Sequence, residues 1–175
     1  MRMKKIFVAL SILFFLGSLS MAFVRQQVDP VNWRDLVPFL IDIEGWDAEG
    51  DAEGASMNMG SFMISQAERE YNAGDKTLTI QIVDGAFAPM VYAGIKMAMS
   101  FEVDSSEEYI KKIEVNGYPA IEKYNYEEND AETIVLVADR FLVNLKGENF
   151  TDEEAPELAQ IAGTLDLEGL AQLSN

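Results

Sequence analysis

The amino-acid sequence predicts an α+β domain, in which an antiparallel sheet of about five to six strands has helices packed on it. The segment KTLTIQIVDG, Lys76 to Gly85, alternates apolar and polar residues with the period of a half-buried strand. Turn sequences separate such segments, since 72–75 (NAGD) and Asn116-Gly117 have the composition of hairpin turns. Strands joined by tight turns pair antiparallel, and the helical segments then cover a face of the sheet.

Two further strands are expected after the Asn116-Gly117 turn. The segments ETIVLVAD and RFLVNLKG are rich in β-branched and other apolar residues, and a turn is predicted near 138–140. The predicted order is therefore helix, two strands, helix, three or four strands, helix.

The first two helices are predicted from caps and helical spacing. Asn32 is a plausible N-cap for a short or broken helix over 32–42, which Pro38 keeps irregular. The apolar segment 87–101 carries a single charged residue and is predicted to be a buried helix capped by Asp84.

The C-terminal helices are predicted from two capping residues. Thr151 to Glu154 matches a capping box, which predicts a helix through about Ile161. Asp166 is expected to cap a last short turn.

The chain divides into three predicted segments. Residues 1–22 form a signal peptide, residues 23–55 an N-terminal helix and acidic loop, and residues 56–175 a single α+β domain continuous with the preceding segment. The signal peptide combines a basic start, an apolar run from Ile6 to Leu16, and small residues at Ser20 and Ala22. Cleavage after Ala22 predicts a bacterial periplasmic or secreted protein without stable membrane insertion, and the alternative is a retained anchor.

Composition restricts the chemistry. The chain has 13 Lys and Arg against 30 Asp and Glu, for a net charge of -17, so it is expected to repel nucleic acid. It contains no His and no Cys, which excludes Ser-His-Asp, Cys-His and thiolate machinery within this chain. Carboxylate, Lys, Tyr and Ser chemistry remains, and we expect a protein that is not an enzyme.

The segment WDAEGDAEG, Trp46 to Gly54, contains the most site-like spacing. It places carboxylates at every second position, as in the first half of a calcium-binding loop: Asp47, Glu49, Asp51 and Glu53. The glycine and the distal glutamate of an EF-hand loop are missing, because those positions hold Ala52 and Asn58. The segment is thus interpreted as a solvated linker, with calcium binding as the alternative and no other cofactor expected.

A second candidate is an aromatic strand face. Tyr118, Tyr124 and Tyr126 have even spacing, which places them on one face of a predicted strand with Ala120 and Glu122. An aromatic face with a carboxylate can receive a small ligand or a partner protein. Core and cross-strand packing is the preferred interpretation, because aromatic residues are enriched in strands, and a ligand or partner face is the alternative.

The phrases VNGYPAI, Val115 to Ile121, and DRFLVNLK, Asp139 to Lys146, precede a closing helix. This order resembles the PsbP/Mog1-like fold and its small bacterial envelope relatives, from about residue 60 onward. The resemblance implies a single α+β domain that acts as a binding or assembly accessory, usually without catalysis.

The expected function is that of a non-catalytic, exported accessory domain that binds an envelope protein or a small ligand. A calcium-binding protein that uses the Asp47–Glu53 loop is the alternative. A hydrolase with paired carboxylates is a third possibility, for which the sequence shows no specific carboxylate pair.

Overall fold

One antiparallel sheet dominates the computed structural model, which describes residues 29–58, 63–85, 95–97 and 99–174. These residues form nine strands: β1 (Asp47–Ala48), β2 (Glu53–Asn58), β3 (Met63–Ala73), β4 (Lys76–Asp84), β5 (Val103–Asp104), β6 (Glu108–Val115), β7 (Tyr118–Asn125), β8 (Asp130–Val137) and β9 (Phe141–Glu148). Their spatial order is β1–β3–β4–β9–β8–β7–β6–β5, and β2 also pairs with β3. The antiparallel sheet is confirmed, but the expected number of strands was too low.

The additional strands arise mainly from the acidic segment that was interpreted as a linker. β1 and β2 both pair with β3, so this segment is an interrupted edge of the sheet. Gly50 lies between them with φ +78°, in the left-handed region that glycine adopts readily. An edge strand exposed on both faces needs no apolar alternation, which is why periodicity did not reveal β2. β2 also spans the expected segment boundary after residue 55.

The predicted hairpin turns are confirmed. Asn116 and Gly117 have φ values of +51° and +85°, as a two-residue type I′ turn requires, and they join β6 directly to β7. The turn before β4 contains Gly74 at φ +68°. Ala138 and Asp139, at +51° and +54°, turn β8 into β9.

The N-terminal helix has the predicted cap and the predicted irregularity. α1 (Trp33–Leu36) begins after Asn32, whose side chain accepts a hydrogen bond of 3.0 Å from the backbone N–H of Arg34. The chain continues as a 3₁₀-helix (Val37–Phe39), with Pro38 inside it.

The C-terminal helices are α2 (Pro156–Thr164) and α3 (Leu167–Gln172). Half of the predicted capping box forms, because the backbone N–H of Thr151 donates to the Glu154 carboxylate at 2.9 Å. Regular helix begins only at Pro156, since proline favours the first helical position, and it ends three residues later than predicted. Asp166 caps α3 as expected, accepting from the N–H of Gly169 at 2.8 Å.

Two predicted elements lie mostly or wholly outside the described residues. They are the signal peptide 1–22 and the apolar helix 87–101. Of the latter, 95–97 are described and helical, whereas 99–101 are described and lie outside any helix, so the helix ends earlier than predicted. Met97 and Phe101 are exposed rather than buried. Asp84, its expected cap, directs its carboxylate to Arg140 and to the backbone N–H of Val31. Among the described residues, no helix has the length and apolar character needed to cross a bilayer.

The core lies against one face of the sheet, called here the inner face. Alternate residues of β4 and β9 point to this face and are fully buried, for example Leu78, Ile80 and Leu145. The same cluster of buried apolar side chains contains Leu36 of α1 and Leu158 of α2. The inner face of β6 and β7 continues from this cluster and carries the candidate site.

Candidate functional site

The Asn116-Gly117 turn sets which side chains meet across β6 and β7. Because it pairs Val115 with Tyr118, the antiparallel register also pairs Tyr109 with Tyr124 and Lys111 with Glu122. The side chains of the Tyr109–Tyr124 and Lys111–Glu122 pairs all point to the inner face. Each of these residues lies an even number of positions along its strand from the buried Val115 or Ala120. The turn therefore places two tyrosines, a lysine and a carboxylate side by side.

Three tyrosines form an aromatic cluster at the end of this hairpin. The ring centroids of Tyr109 and Tyr124 are 5.9 Å apart and stacked. Tyr126 meets both rings edge-on, at 6.2 Å from Tyr109 and 5.2 Å from Tyr124. These are the separations and orientations that the quadrupoles of aromatic rings favour. The hydroxyl of Tyr124 donates to the carbonyl of Phe150 at 2.9 Å, which fixes its ring.

A buried carboxylate lies next to the cluster. Glu122 is only 5% exposed, and it accepts a hydrogen bond of 3.0 Å from the hydroxyl of Tyr109. The ammonium group of Lys111 lies 4.0 Å from the same carboxylate oxygen, Oε1. The Lys111 ammonium also lies 3.9 Å from the centre of the Tyr109 ring. A buried carboxylate requires such partners, since burial without them is costly.

Burial keeps the hydroxyls of the two stacked tyrosines protonated. Desolvation raises the pKa of Tyr109 far above its ordinary value, and the negative charge of Glu122 raises it further. Desolvation is also the main cause that raises the pKa of Tyr124. Near neutral pH both hydroxyls are uncharged and can act as hydrogen-bond donors.

An open cavity of about 500 Å³, called here the tyrosine cavity, lies beside these groups. Its walls come from β5 and the residue before it, from β6, from the residue after β7 and from the loop between β9 and α2. They carry two tyrosines, one lysine, two aliphatic residues and four carboxylates: Tyr109, Tyr126, Lys111, Val103, Ile110, Glu102, Asp104, Asp152 and Glu153. The cavity is within the range of roughly 300–1,000 Å³ typical of small-molecule sites.

The structure brings Tyr124 and Tyr126 of the predicted aromatic face together and separates Tyr118 from them. Tyr124 lies in the cluster, and Tyr126 lies just beyond the end of β7 and is 39% exposed. Tyr118 begins the strand, six residues or roughly 20 Å from Tyr124, given about 3.3 Å per residue. Its hydroxyl donates instead to Glu168 of α3, at 3.1 Å.

Sequence reasoning missed Tyr109 and Lys111, although a signal for them was present. Both lie on the strand before the Asn116-Gly117 turn, and counting outward from that turn pairs them with Tyr124 and Glu122. No such signal was present for Asp152 and Glu153, because these residues reach the cavity from a loop outside the hairpin.

The acidic segment also lines a cavity, of about 230 Å³, called here the acidic groove. Glu49, Asp51 and Glu53 line it from the segment. The rest of the lining comes from β3 and β4: Glu68, Arg69, Glu70 and Thr79. Asp47 is not part of this lining; it pairs with Asn72 in the sheet. The predicted four-carboxylate set is thus brought together only in part.

Hydrogen bonds hold two groove carboxylates to neighbouring amides. Glu49 accepts from the side-chain amide of Asn72 at 2.8 Å, and Glu68 accepts from that of Gln81 at 3.0 Å. Throughout the described part of the chain, no three Asp or Glu side chains are grouped in a way that suits a metal ion. Calcium binding by the segment stays a prediction.

No family model, curated protein or solved structure matches this chain. The resemblance to the PsbP/Mog1-like fold therefore stays a prediction.

Proposed function

We propose that this chain is a non-catalytic binding domain, exported to the bacterial cell envelope, that takes a small ligand in the tyrosine cavity. The observation that carries the proposal is the cavity itself, about 500 Å³ in volume and lined by aromatic, aliphatic and charged side chains.

A binding role rather than catalysis is supported by the chemistry of the cavity. The chain has no His and no Cys, so the commonest general base and the thiol nucleophile are missing. The Tyr109 hydroxyl is protonated near neutral pH and donates to Glu122, which occupies both groups with each other. The lining residues thus offer contact surfaces, hydrogen bonds and charge.

Export is supported by the first 22 residues, which lie outside the described part of the structure. Their basic start, apolar run and small residues at Ser20 and Ala22 are the features of a signal peptide. We also propose that the helices cover a face of the sheet. A relationship to PsbP/Mog1-like envelope accessory proteins is a further part of the proposal. Under it, an envelope protein is the alternative occupant of the same surface.

Nuclear magnetic resonance mapping of a small-molecule library tests the ligand site. A library of neutral, cationic and anionic compounds is expected to contain members that shift the backbone amide signals of 102–104, 109–111, 126 and 152–153. Tyr126→Ala should weaken the binding of those compounds, whereas Tyr118→Ala, on the same hairpin but outside the cavity, should leave their binding unchanged. If no compound moves these signals, the ligand site is wrong.

Cell fractionation tests the location. Expressed in a bacterium, the chain is expected in the periplasmic or extracellular fraction, with its mature N-terminus at Phe23. Recovery from the cytoplasm with an intact leader would contradict export.

A second proposal is divalent-cation binding at the acidic groove, whose lining combines five carboxylates with the Arg69 side chain. Binding would require these carboxylates to rearrange, since no three of the described Asp or Glu side chains are grouped to suit a metal ion. Calcium favours oxygen ligands of this kind. Calcium titration should then raise the melting temperature, and Asp51→Ala should abolish the rise. Asp47→Ala is the matched control, because Asp47 does not line the groove. An unchanged melting temperature at millimolar calcium contradicts this second proposal.

A further inference from the structure

The charge of the tyrosine cavity indicates the class of ligand, if the proposed binding function holds. Four carboxylates line it, against the single ammonium group of Lys111. The chain as a whole carries a charge of -17, which adds to the negative potential. A cavity bounded by one sign of charge concentrates ligands of the opposite sign. This argues for a cation.

The aromatic cluster adds a more specific preference. Ammonium groups bind over tyrosine rings through the negative face of the ring, and clusters of aromatic rings recognise alkylammonium ions in this way. Here Tyr109 and Tyr126 both line the cavity, with their ring centroids 6.2 Å apart. The rings provide apolar contact for the alkyl part of such an ion, and the acidic wall compensates its charge.

Lys111 shows that a cation is accommodated at this position. Its ammonium group lies 3.9 Å from the centre of the Tyr109 ring, within the distance of a cation–π contact. The same group lies 4.0 Å from the buried Glu122 carboxylate. Its side chain is 58% exposed, so a ligand in the cavity can replace it at low steric cost. A cation that binds at this ring would therefore compete with Lys111.

Two other ligand classes fit these residues less well. An anion paired with Lys111 would have to enter past four carboxylates and lie near Glu122. A bare calcium ion requires six to eight oxygen ligands, and no suitable group of three acidic side chains exists within the described ranges.

We propose that the tyrosine cavity binds an alkylammonium ion against Tyr109 and Tyr126, in competition with the side chain of Lys111. Primary amines and quaternary ammonium ions share this chemistry. A primary amine can also donate hydrogen bonds to the carboxylates of Asp104 or Asp152, which a quaternary ion cannot.

The test compares ligands of the same shape and different charge. The purified protein is titrated with choline, with its uncharged carbon isostere 3,3-dimethylbutan-1-ol, and with n-butylammonium, and binding is followed by chemical-shift mapping. Choline should bind at least about two- to fivefold more tightly than the isostere, the ratio expected from an exposed cation–π contact. Tighter binding of n-butylammonium than of choline would identify primary amines as the preferred class of ligand. Tighter binding of choline would identify quaternary ammonium ions.

Three variants locate the binding on the structure. Lys111→Met removes the competing charge and keeps the aliphatic length, so choline should bind about two- to fivefold more tightly. Tyr126→Ala should weaken choline binding, and Tyr118→Ala should leave it unchanged. Thermal melting verifies that each variant is folded. If Lys111→Met does not fold, the choline and isostere comparison on the unaltered chain still decides the question.

The outcomes separate this inference from the proposed binding function. Equal affinity for choline and its isostere overturns the preference for a cation but keeps a ligand site. Loss of choline binding in Lys111→Met also overturns it, since the lysine would then be a ligand-binding group. No shift with any of the three probes overturns the inference, and if the wider library also fails, the proposed function fails with it.

Discussion

The guanidinium group of Arg140 binds the fully buried carboxylate of Asp84 through two hydrogen bonds, Nε to Oδ1 at 3.0 Å and Nη2 to Oδ2 at 2.8 Å. The pair joins distant parts of the chain. The backbone N–H of Val31 donates to the same carboxylate at 2.8 Å, and Arg140 also donates to the carbonyls of Asp29 and Leu173. One ion pair thus ties the N-terminal segment and the C-terminus to the end of the sheet.

Replacing Arg140 by methionine should destabilise the fold strongly. The buried Asp84 carboxylate would lose its bidentate partner, and leaving one buried charge of a pair unmatched costs about 3–5 kcal/mol. Urea unfolding measures this change in the free energy of unfolding. Lys96→Met is the control, because the Lys96–Asp139 pair has side chains 51% and 71% exposed and should contribute about 1 kcal/mol or less. Equal effects of the two substitutions would contradict the assignment.

Tyr124→Phe should lower stability more than Tyr118→Phe. The Tyr124 hydroxyl satisfies the buried carbonyl of Phe150, and an unsatisfied buried acceptor costs about 1–3 kcal/mol. The Tyr118 hydroxyl donates to the exposed Glu168, so the loss of this hydrogen bond should change the free energy of unfolding by about 0.5 kcal/mol or less. Both variants keep the aromatic ring, and their denaturation midpoints can be compared directly. The reverse order would show that the Tyr124 bond is not formed in solution.

Glu154 should make stability depend on acidic pH. Its carboxylate bonds Lys76 at 2.8 Å and the N–H of Thr151 at 2.9 Å. These contacts, with the Lys76 bond the largest, lower the pKa of Glu154 from 4.5 to about 2. Because the folded pKa lies below the unfolded one, the stabilisation is complete above about pH 4.5 and is lost as the pH falls toward 2.

Melting curves of the parent chain and of Glu154→Gln measure this dependence. The melting temperature of the parent should exceed that of the variant near neutral pH, and the two should converge as the pH approaches 2. Lys76→Met removes the main partner of the carboxylate, so adding Glu154→Gln to it should lower the melting temperature at neutral pH by less than in the parent. A difference that stays constant from pH 7 to 2 would rule out the linkage.

Gly147→Ala and Gly163→Ala should have opposite effects. A methyl group on Gly147 would lie 2.5 Å from a ring carbon of Phe150, whose ring is stacked against Trp46. Overpacking of this kind costs about 1–3 kcal/mol. On Gly163 of α2 the nearest atom would be 3.6 Å away, so alanine should add up to about 1 kcal/mol through its helix propensity. Thermal denaturation compares the two, and a stable Gly147→Ala protein would contradict the tight packing.

Much of the sheet was predictable because its signals are local. The alternation of Leu78, Ile80 and Ile82 predicts β4, and Asn116-Gly117 predicts the turn between β6 and β7 by its tolerance of positive φ. β2 escaped prediction because an edge strand exposed on both faces shows no apolar period. The start of α2 was misplaced because the capping box is satisfied by a turn before Pro156.

The candidate site, too, could be predicted from the sequence only in part. The pairing of Tyr109 with Tyr124 and of Lys111 with Glu122 follows from the position of one turn, so it was available from the sequence by counting. The presence of Asp152 and Glu153 in the same cavity as Tyr126 was not, because the path of the chain after β9 brings those residues there.

By itself, the sequence determined the period of the main strands, the two-residue turn and the absence of imidazole and thiol chemistry, since each depends on neighbouring residues or on composition. Only the tertiary structure decided that acidic residues line the same cavity as the tyrosine cluster and that Arg140 meets Asp84. Those contacts join residues far apart in the chain, and the pairing of strands and the burial of apolar side chains bring them together.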